Sequence, residues 1–187
     1  MTQLCYGCFK TVQNDDIVCP YCGYRIHEMP DALHILKPGT ILNEKYTVGK
    51  TLGEGGFGIT YLAWDNNMQI KIAIKEFYPA SLVARDTSSA EQTQLYTITQ
   101  SGSGEFHQGL ERFVREASTL AQFFKLPGIV SVKDFFYENR TAYIVMEYIE
   151  GITLKEYLKQ RGGVISAEET LTLMKPVIES LAVIHGH

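Results

Sequence analysis

The run Gly53-Glu54-Gly55-Gly56-Phe57-Gly58 constrains this chain more than any other, because of what stands on either side of it. Before it, Tyr46-Thr47-Val48-Gly49-Lys50-Thr51-Leu52 alternates as a strand does. After it, Ile59-Thr60-Tyr61-Leu62-Ala63-Trp64 is β-branched and aromatic, so the chain turns back as a second strand. A G-x-G-x-x-G spacing alone is a weak signal that dinucleotide-binding folds share, but there the glycines open a helix. The strand after Gly58 sets that class aside and predicts a glycine-tipped hairpin. With no side chains at Gly53, Gly55 and Gly58, its tip would let backbone amides close over a triphosphate, with Phe57 capping it.

A third strand is predicted after a turn at Asn66-Asn67, reading Ile70-Lys71-Ile72-Ala73-Ile74-Lys75-Glu76-Phe77. Its alternation puts Lys71, Ala73 and Lys75 on one face and Ile72 and Ile74 on the other. A small residue followed by a lysine two positions on, beside a glycine hairpin, suits a nucleotide: Ala73 admits a flat ring and Lys75 reaches the α- and β-phosphates. An ammonium partly withdrawn from water needs a carboxylate to hold it. The helix predicted from Glu105 to Phe124 offers two, with apolar residues at 110, 113, 114, 117, 120, 121 and 124 marking its inner face. Glu116 borders that face and is the preferred partner, although spacing alone does not exclude Glu111.

The N-terminus carries a separate signal. Cys5-x2-Cys8, ten intervening residues, then Cys19-x2-Cys22 make two metal knuckles, since two thiolates three positions apart on a tight turn reach one ion and a second such turn completes a tetrahedron. About thirty residues cannot build a sufficient core, so the ribbon is expected to depend on zinc, worth on the order of 10–16 kcal/mol in comparable peptides. A redox dithiol would need one pair in a βαβ setting. His27 and His34 read as surface or linker residues. Residues 1–29 are taken as the ribbon and 30–45, with Pro30 and Pro38-Gly39, as a linker.

Composition narrows the remaining classes. Seventeen basic against 21 acidic residues give a net charge of -4, without the basic footprint that nucleic acid requires. No apolar run approaches a membrane span and Met1-Thr2-Gln3-Leu4-Cys5 lacks the order of a signal peptide, so the reading is cytoplasmic, where clustered cysteines are metal ligands and not disulfides.

The order Gly53-x-Gly55-x-x-Gly58, Ile72-Ala73-Ile74-Lys75, Arg115-Glu116-Ala117, Leu126-Pro127-Gly128-Ile129-Val130 and Tyr143-Ile144-Val145-Met146-Glu147-Tyr148 resembles the protein kinases, most closely the bacterial serine/threonine kinases, over residues 46–187. The resemblance implies an α+β fold: the N-terminal lobe of a kinase, five antiparallel strands and one helix, with the first helices of the second lobe, all behind the small zinc ribbon. It implies ATP as ligand and a protein as substrate or regulatory partner. Lys75 and Glu116 would form the ion pair of the active state. Leu52, Thr60 and Ala73 would roof the adenine pocket, with Met146 as gatekeeper and Glu147 and Ile149 supplying hinge hydrogen bonds. Thr60 stands where valine is usual and Leu126 where histidine is common. Asp86 to Gly104, rich in Ser, Thr, Gln and Gly, reads as a flexible insertion.

Two further strands, 131–137 and 141–148, are expected to meet at Glu138-Asn139-Arg140. A short helix near Leu154 to Gln160 and a last helix behind a capping box at Ser166 to Glu169 should follow, the latter with Leu171, Met174, Val177, Ile178, Leu181 and Ile184 as a core stripe. No His-Arg-Asp and no Asp-Phe-Gly occurs in the 187 residues, and Asp134 and Asn139 share the Asp-x4-Asn spacing of a catalytic loop by chance. Magnesium is expected with ATP, but its usual protein ligands are missing. The expectation is therefore a kinase truncated before its catalytic loop and inactive alone, either a fragment of a longer enzyme or a non-catalytic docking or regulatory module.

Overall fold

The computed structural model describes residues 1–28, 32–85 and 93–186. The glycine hairpin forms as the flanking patterns require: β4 (Tyr46–Gly55) and β5 (Gly58–Asp65) pair antiparallel down to Gly55 opposite Gly58. β6 (Ile70–Phe77) lies beside β5, joined by a turn in which the buried Asp65 carboxylate accepts from the backbone N–H groups of Asn67 and Met68, each at 2.9 Å. The five expected strands are completed by β9 (Val132–Glu138) and β10 (Thr141–Glu147). Asn139 and Arg140 both take positive φ, 53° and 61°, the double left-handed turn that matches strand twist in a tight hairpin. A two-residue strand, β3 (Ile41–Leu42), extends the sheet to the order β3-β4-β5-β6-β10-β9.

The register sorts side chains onto two faces. Lys75 pairs with Thr60 and Ile144, Ala73 with Leu62 and Met146, and Lys71 with Trp64, so these share one face. Ile74 with Tyr61, and Glu76 with Ile59 and Tyr143, occupy the other. Helix α1 (Gly102–Ala121) packs Phe106 and Phe113 against Phe77, with ring centroids 5.4 and 5.3 Å apart. Gly109 allows this close approach, since a Cβ there would lie 2.7 Å from the Phe77 ring.

Described residues of the stretch read as a linker pack into the core. Leu36 and Leu42 are buried, and the Leu36 N–H donates to the Tyr61 hydroxyl at 3.2 Å. Part of the insertion is equally built in: β7 (Val83–Arg85) pairs with β8 (Leu95–Thr97), burying Val83, Arg85 and Leu95, and α1 starts at Gly102. Residues 86–92 of that expected insertion lie outside the described residues.

On the inner face of this hairpin stands an ion pair with no counterpart in the sequence reading. Glu76 and Arg85 meet at 2.7 Å with both side chains withdrawn from water. The Glu76 carboxylate also accepts from Tyr61 Oη at 3.0 Å and Tyr143 Oη at 2.9 Å. Burial first, and then the Glu76 charge, raise both phenols above their ordinary range, so they remain donors. Arg85 spends its other N–H groups on the carbonyls of His34, at 2.8 Å, and Thr93.

Beyond β10, α2 (Leu154–Gln160) carries the reciprocal capping box, Thr153 with Glu156, whereas α3 (Ala167–His185) is capped in one direction, the Ser166 hydroxyl accepting from Glu169 N–H at 3.1 Å. The stripe read as core is a correction: Leu171, Ile178 and Leu181 are exposed and only Ser180 of α3 is buried, its hydroxyl donating to Pro127 O at 2.6 Å. The reason is that no described element crosses that face. Such a stripe is expected to drive self-association, and sedimentation at rising protein concentration should show species heavier than a monomer. A clean monomer throughout would count against it.

Candidate functional site

The hairpin, β6 and α1 enclose a cleft of about 590 Å³ lined among others by Gly56, Phe57, Lys75, Phe113 and Glu116. Gly58 is sterically required there, because a Cβ would lie 2.3 Å from Glu76 O on β6. Gly53, Gly55 and Gly56 face open space. Phe57 is largely exposed at the tip, and its carbonyl accepts from Tyr78 N–H at 3.1 Å. Glu54 turns its carboxylate outward to the His34 ring, Nε2 to Oε2 at 2.8 Å.

Lys75 stands over the Phe113 ring, Nζ to centroid 5.6 Å, and makes no ion pair with Glu116 among the described residues. Both line the same cleft, as does Phe113, one turn before Glu116 on α1. Glu111 does not line it. Lys75 stays half-buried and Glu116 exposed, and the ammonium has Phe113 as a cation–π neighbour in a cleft that Gly56 and Phe57 also line.

The remaining expected contacts follow the ladder. Ala73 faces Met146 across β6 and β10, and Thr60 faces Lys75 across β5 and β6. Leu52 falls in a register shift between Thr51 and Gly53, which swings it out of the regular alternation, and it is partly exposed. Glu147 ends β10, its N–H donating to Ser131 O at 3.0 Å and its carboxylate accepting from Ser131 N–H at 2.8 Å, and Ile149 follows in the open. Lys71 pairs with Glu150 just beyond, which draws the Glu150 carboxyl below its usual range.

At the N-terminus, β1 (Thr2–Leu4) and β2 (Thr11–Gln13) carry the first knuckle, and a bridge between Val18 and Arg25 carries the second. The four Sγ atoms of Cys5, Cys8, Cys19 and Cys22 lie within 4.8 Å of one another. Cys5 to Cys22 is 3.8 Å and Cys8 to Cys19 is 3.7 Å. A tetrahedral ion with metal–sulfur bonds of about 2.3 Å sets thiolates about 3.8 Å apart, so the donor set fits zinc in both chemistry and size. The residue after each second ligand is left-handed, Phe9 at φ 56° and Gly23 at φ 71°, which closes the turns. Burial pushes the Cys5 thiol up to about 12, whereas at Cys19 the burial is outweighed by backbone N–H groups of Tyr21 and Cys22, and the thiol falls to about 7.

The ribbon is not loosely tethered. Phe9 stacks on Trp64 with centroids 5.6 Å apart, on the same sheet face as Ala73 and Lys75. A register shift between Val48 and Thr51 releases the Lys50 N–H from the ladder, and it donates to Tyr6 O at 2.9 Å. Gly49 makes room for this: a Cβ there would lie 2.4 Å from Tyr6 O.

The protein kinase domain model matches residues 46–187, and the chain belongs to that family. It is similar to the serine/threonine-protein kinase PrkC of Bacillus subtilis, 31% identical over 149 residues that cover 80% of this chain and 19% of the relative. It is also similar to the serine/threonine-protein kinase PknA of Nostoc, 33% identical over 144 residues, 74% of this chain and 22% of the relative. Among solved structures, the apo form of PpkA-294 superposes with a TM-score of 0.62 at 35% identity, covering 68% of this chain and 43% of that one. The chain thus spans about a fifth of the length of the curated relatives it matches.

Proposed function

We propose that residues 46–187 are the ATP-binding part of a serine/threonine protein kinase, held behind a zinc-loaded ribbon formed by Cys5, Cys8, Cys19 and Cys22. The observation that carries the reading is Lys75, half-buried in the cleft that Gly56 and Phe57 of the glycine hairpin also line. In this reading the amides of Gly53 to Gly58 cover the phosphates and Lys75 pairs with the α- and β-phosphates. Leu52, Thr60 and Ala73 roof the adenine, with Met146, Glu147 and Ile149 along its edge. Glu116, which lines the same cleft, takes the ammonium. Bound ATP with magnesium supplies the phosphoryl group, while this chain's own residues bind and orient it. Phosphoryl transfer to a protein hydroxyl further needs a base and magnesium ligands, which the His-Arg-Asp and Asp-Phe-Gly motifs provide in the family and which the 187 residues do not contain. Labelled phosphate is therefore not expected to be transferred by this chain alone. Among the described residues no helix is long and apolar enough to cross a membrane, and cytoplasmic work on a protein partner fits the reading.

Replacing Lys75 by methionine removes a charge-assisted contact worth about 1.5–3 kcal/mol and should weaken ATP binding by about 10- to 100-fold in calorimetry. Unchanged affinity, or binding of NAD but not ATP, would remove the nucleotide assignment.

A further inference from the structure

We infer that His34 is a positioning residue for the glycine hairpin, a strut from the N-terminal segment to Glu54 on the phosphate-covering tip; the inference rests on the nucleotide reading of that tip. The hairpin is unevenly supported. Its β5 side is fastened to β6 through the full ladder, through Tyr78 N–H to Phe57 O at 3.1 Å, and by the contact of Gly58 with Glu76 O. Its β4 side is held only as far as Lys50: β3 pairs with Tyr46 and Thr47, Gly39 and Thr40 bond Val48, Lys50 N–H reaches Tyr6 O, and the ladder to β5 slips twice, at 48–51 and at 51–53. Gly53 and Gly55, on either side of Glu54, pair with Thr60 and Gly58 of β5 and have no neighbour on the side where a Cβ would stand.

The described contact that reaches this edge at the tip is His34 Nε2 to Glu54 Oε2, 2.8 Å. Its other end is fixed in the core. The His34 carbonyl accepts from Arg85 Nε at 2.8 Å, Arg85 is locked on Glu76, and the imidazole lies 5.8 Å from the Tyr78 ring. Two residues on, Leu36 N–H is tied to Tyr61 Oη. A rigid anchor holding a flexible phosphate-binding edge lowers the ordering cost that a nucleotide would otherwise meet.

The test is a cycle of His34→Ala, Glu54→Ala and the double variant in the 187-residue chain. ATP with magnesium is titrated by calorimetry, and amide exchange is followed at Gly53 to Gly58. Each single change should weaken ATP about 2- to 5-fold, the scale of a half-exposed pair, and the double variant should be no worse than the weaker single. Exchange at the tip should quicken while the core amides of β6 stay protected. His34→Gln, whose amide still donates to Glu54, should restore both, which a general loss of stability would not allow. Additive losses, or tip exchange unchanged in His34→Ala, overturn the strut. If the unaltered chain binds no ATP the nucleotide reading fails by itself, and tip exchange still decides whether His34 holds Glu54.

Discussion

Arg85→Met is expected to cost this chain about 3–5 kcal/mol, because it strands the Glu76 carboxylate in a site with no water. A domain of this size is stable by about 5–15 kcal/mol in all, so the loss should appear as a fall in melting temperature on the order of 10 °C. The charge is the issue, not the volume, since methionine fills much of the space of the guanidinium stem. Converting Glu76 to Gln in the same chain should therefore recover more than half of the loss: the neutral amide oxygen still accepts from one of the two phenols and the amide NH2 faces the oxygen of the other, without a buried charge. Calorimetric melts of the two single variants and the pair decide it. A loss below about 1 kcal/mol in Arg85→Met would mean that water reaches Glu76 and that the pair is not the clamp between β6, β7 and the N-terminal segment.

Stripping the metal has the larger local effect. With β1 and β2 only three residues each and a small cluster of Cys5, Val12 and Cys19 as core, the ribbon has little besides thiolate coordination to oppose chain entropy. A strong chelator, or Cys19→Ser, is expected to unfold residues 1–28 and to expose Trp64, which Phe9 covers. The readout is a red shift and quenching of the fluorescence of the chain's single tryptophan, reversed by added zinc. Since the thiols must shed protons to hold the ion, the chelator concentration needed should fall as the pH is lowered. Tryptophan emission that ignores the chelator would mean that the ribbon folds and docks without metal.

The parts of this fold legible in the sequence are those whose signal is local. Two-residue alternation marked β4 and β6; β-branched and aromatic content marked β5; β9 and β10 were also expected as strands; the glycine spacing marked the β4–β5 hairpin, the knuckle spacing marked the thiol cluster, and α2 lies where it was expected. What escaped was non-local. Glu76 follows Lys75 and reads as one more polar strand residue; its burial depends on Arg85, Tyr61 and Tyr143, which come from three other elements. Phe9 and Trp64 are far apart in sequence, and neither belongs to a periodic stripe. Gly49 looks like a weak point in a strand, yet it marks a bulge and a close approach by another backbone, a known meaning of glycine in such a place. Lys75 and Glu116 show the converse: helix spacing placed Glu116 toward the sheet, and it lines the same cleft as Lys75, but spacing does not say whether the two charges touch. At α3 the periodicity was read correctly as an apolar stripe and incorrectly as a covered one, because amphipathicity says where a partner would lie and not whether one is there.

The seating of Tyr6 and Phe9 on Gly49 and Trp64 bears on where this polypeptide may be cut. A protein trimmed to begin at residue 46, where the family match starts, would bare an indole, leave Lys50 N–H without its acceptor, and remove Leu36 from Tyr61 together with the carbonyl that Arg85 grips. These contacts reach from the family border at residue 46 back to Tyr6 and Phe9, and the shorter product should be the one that precipitates.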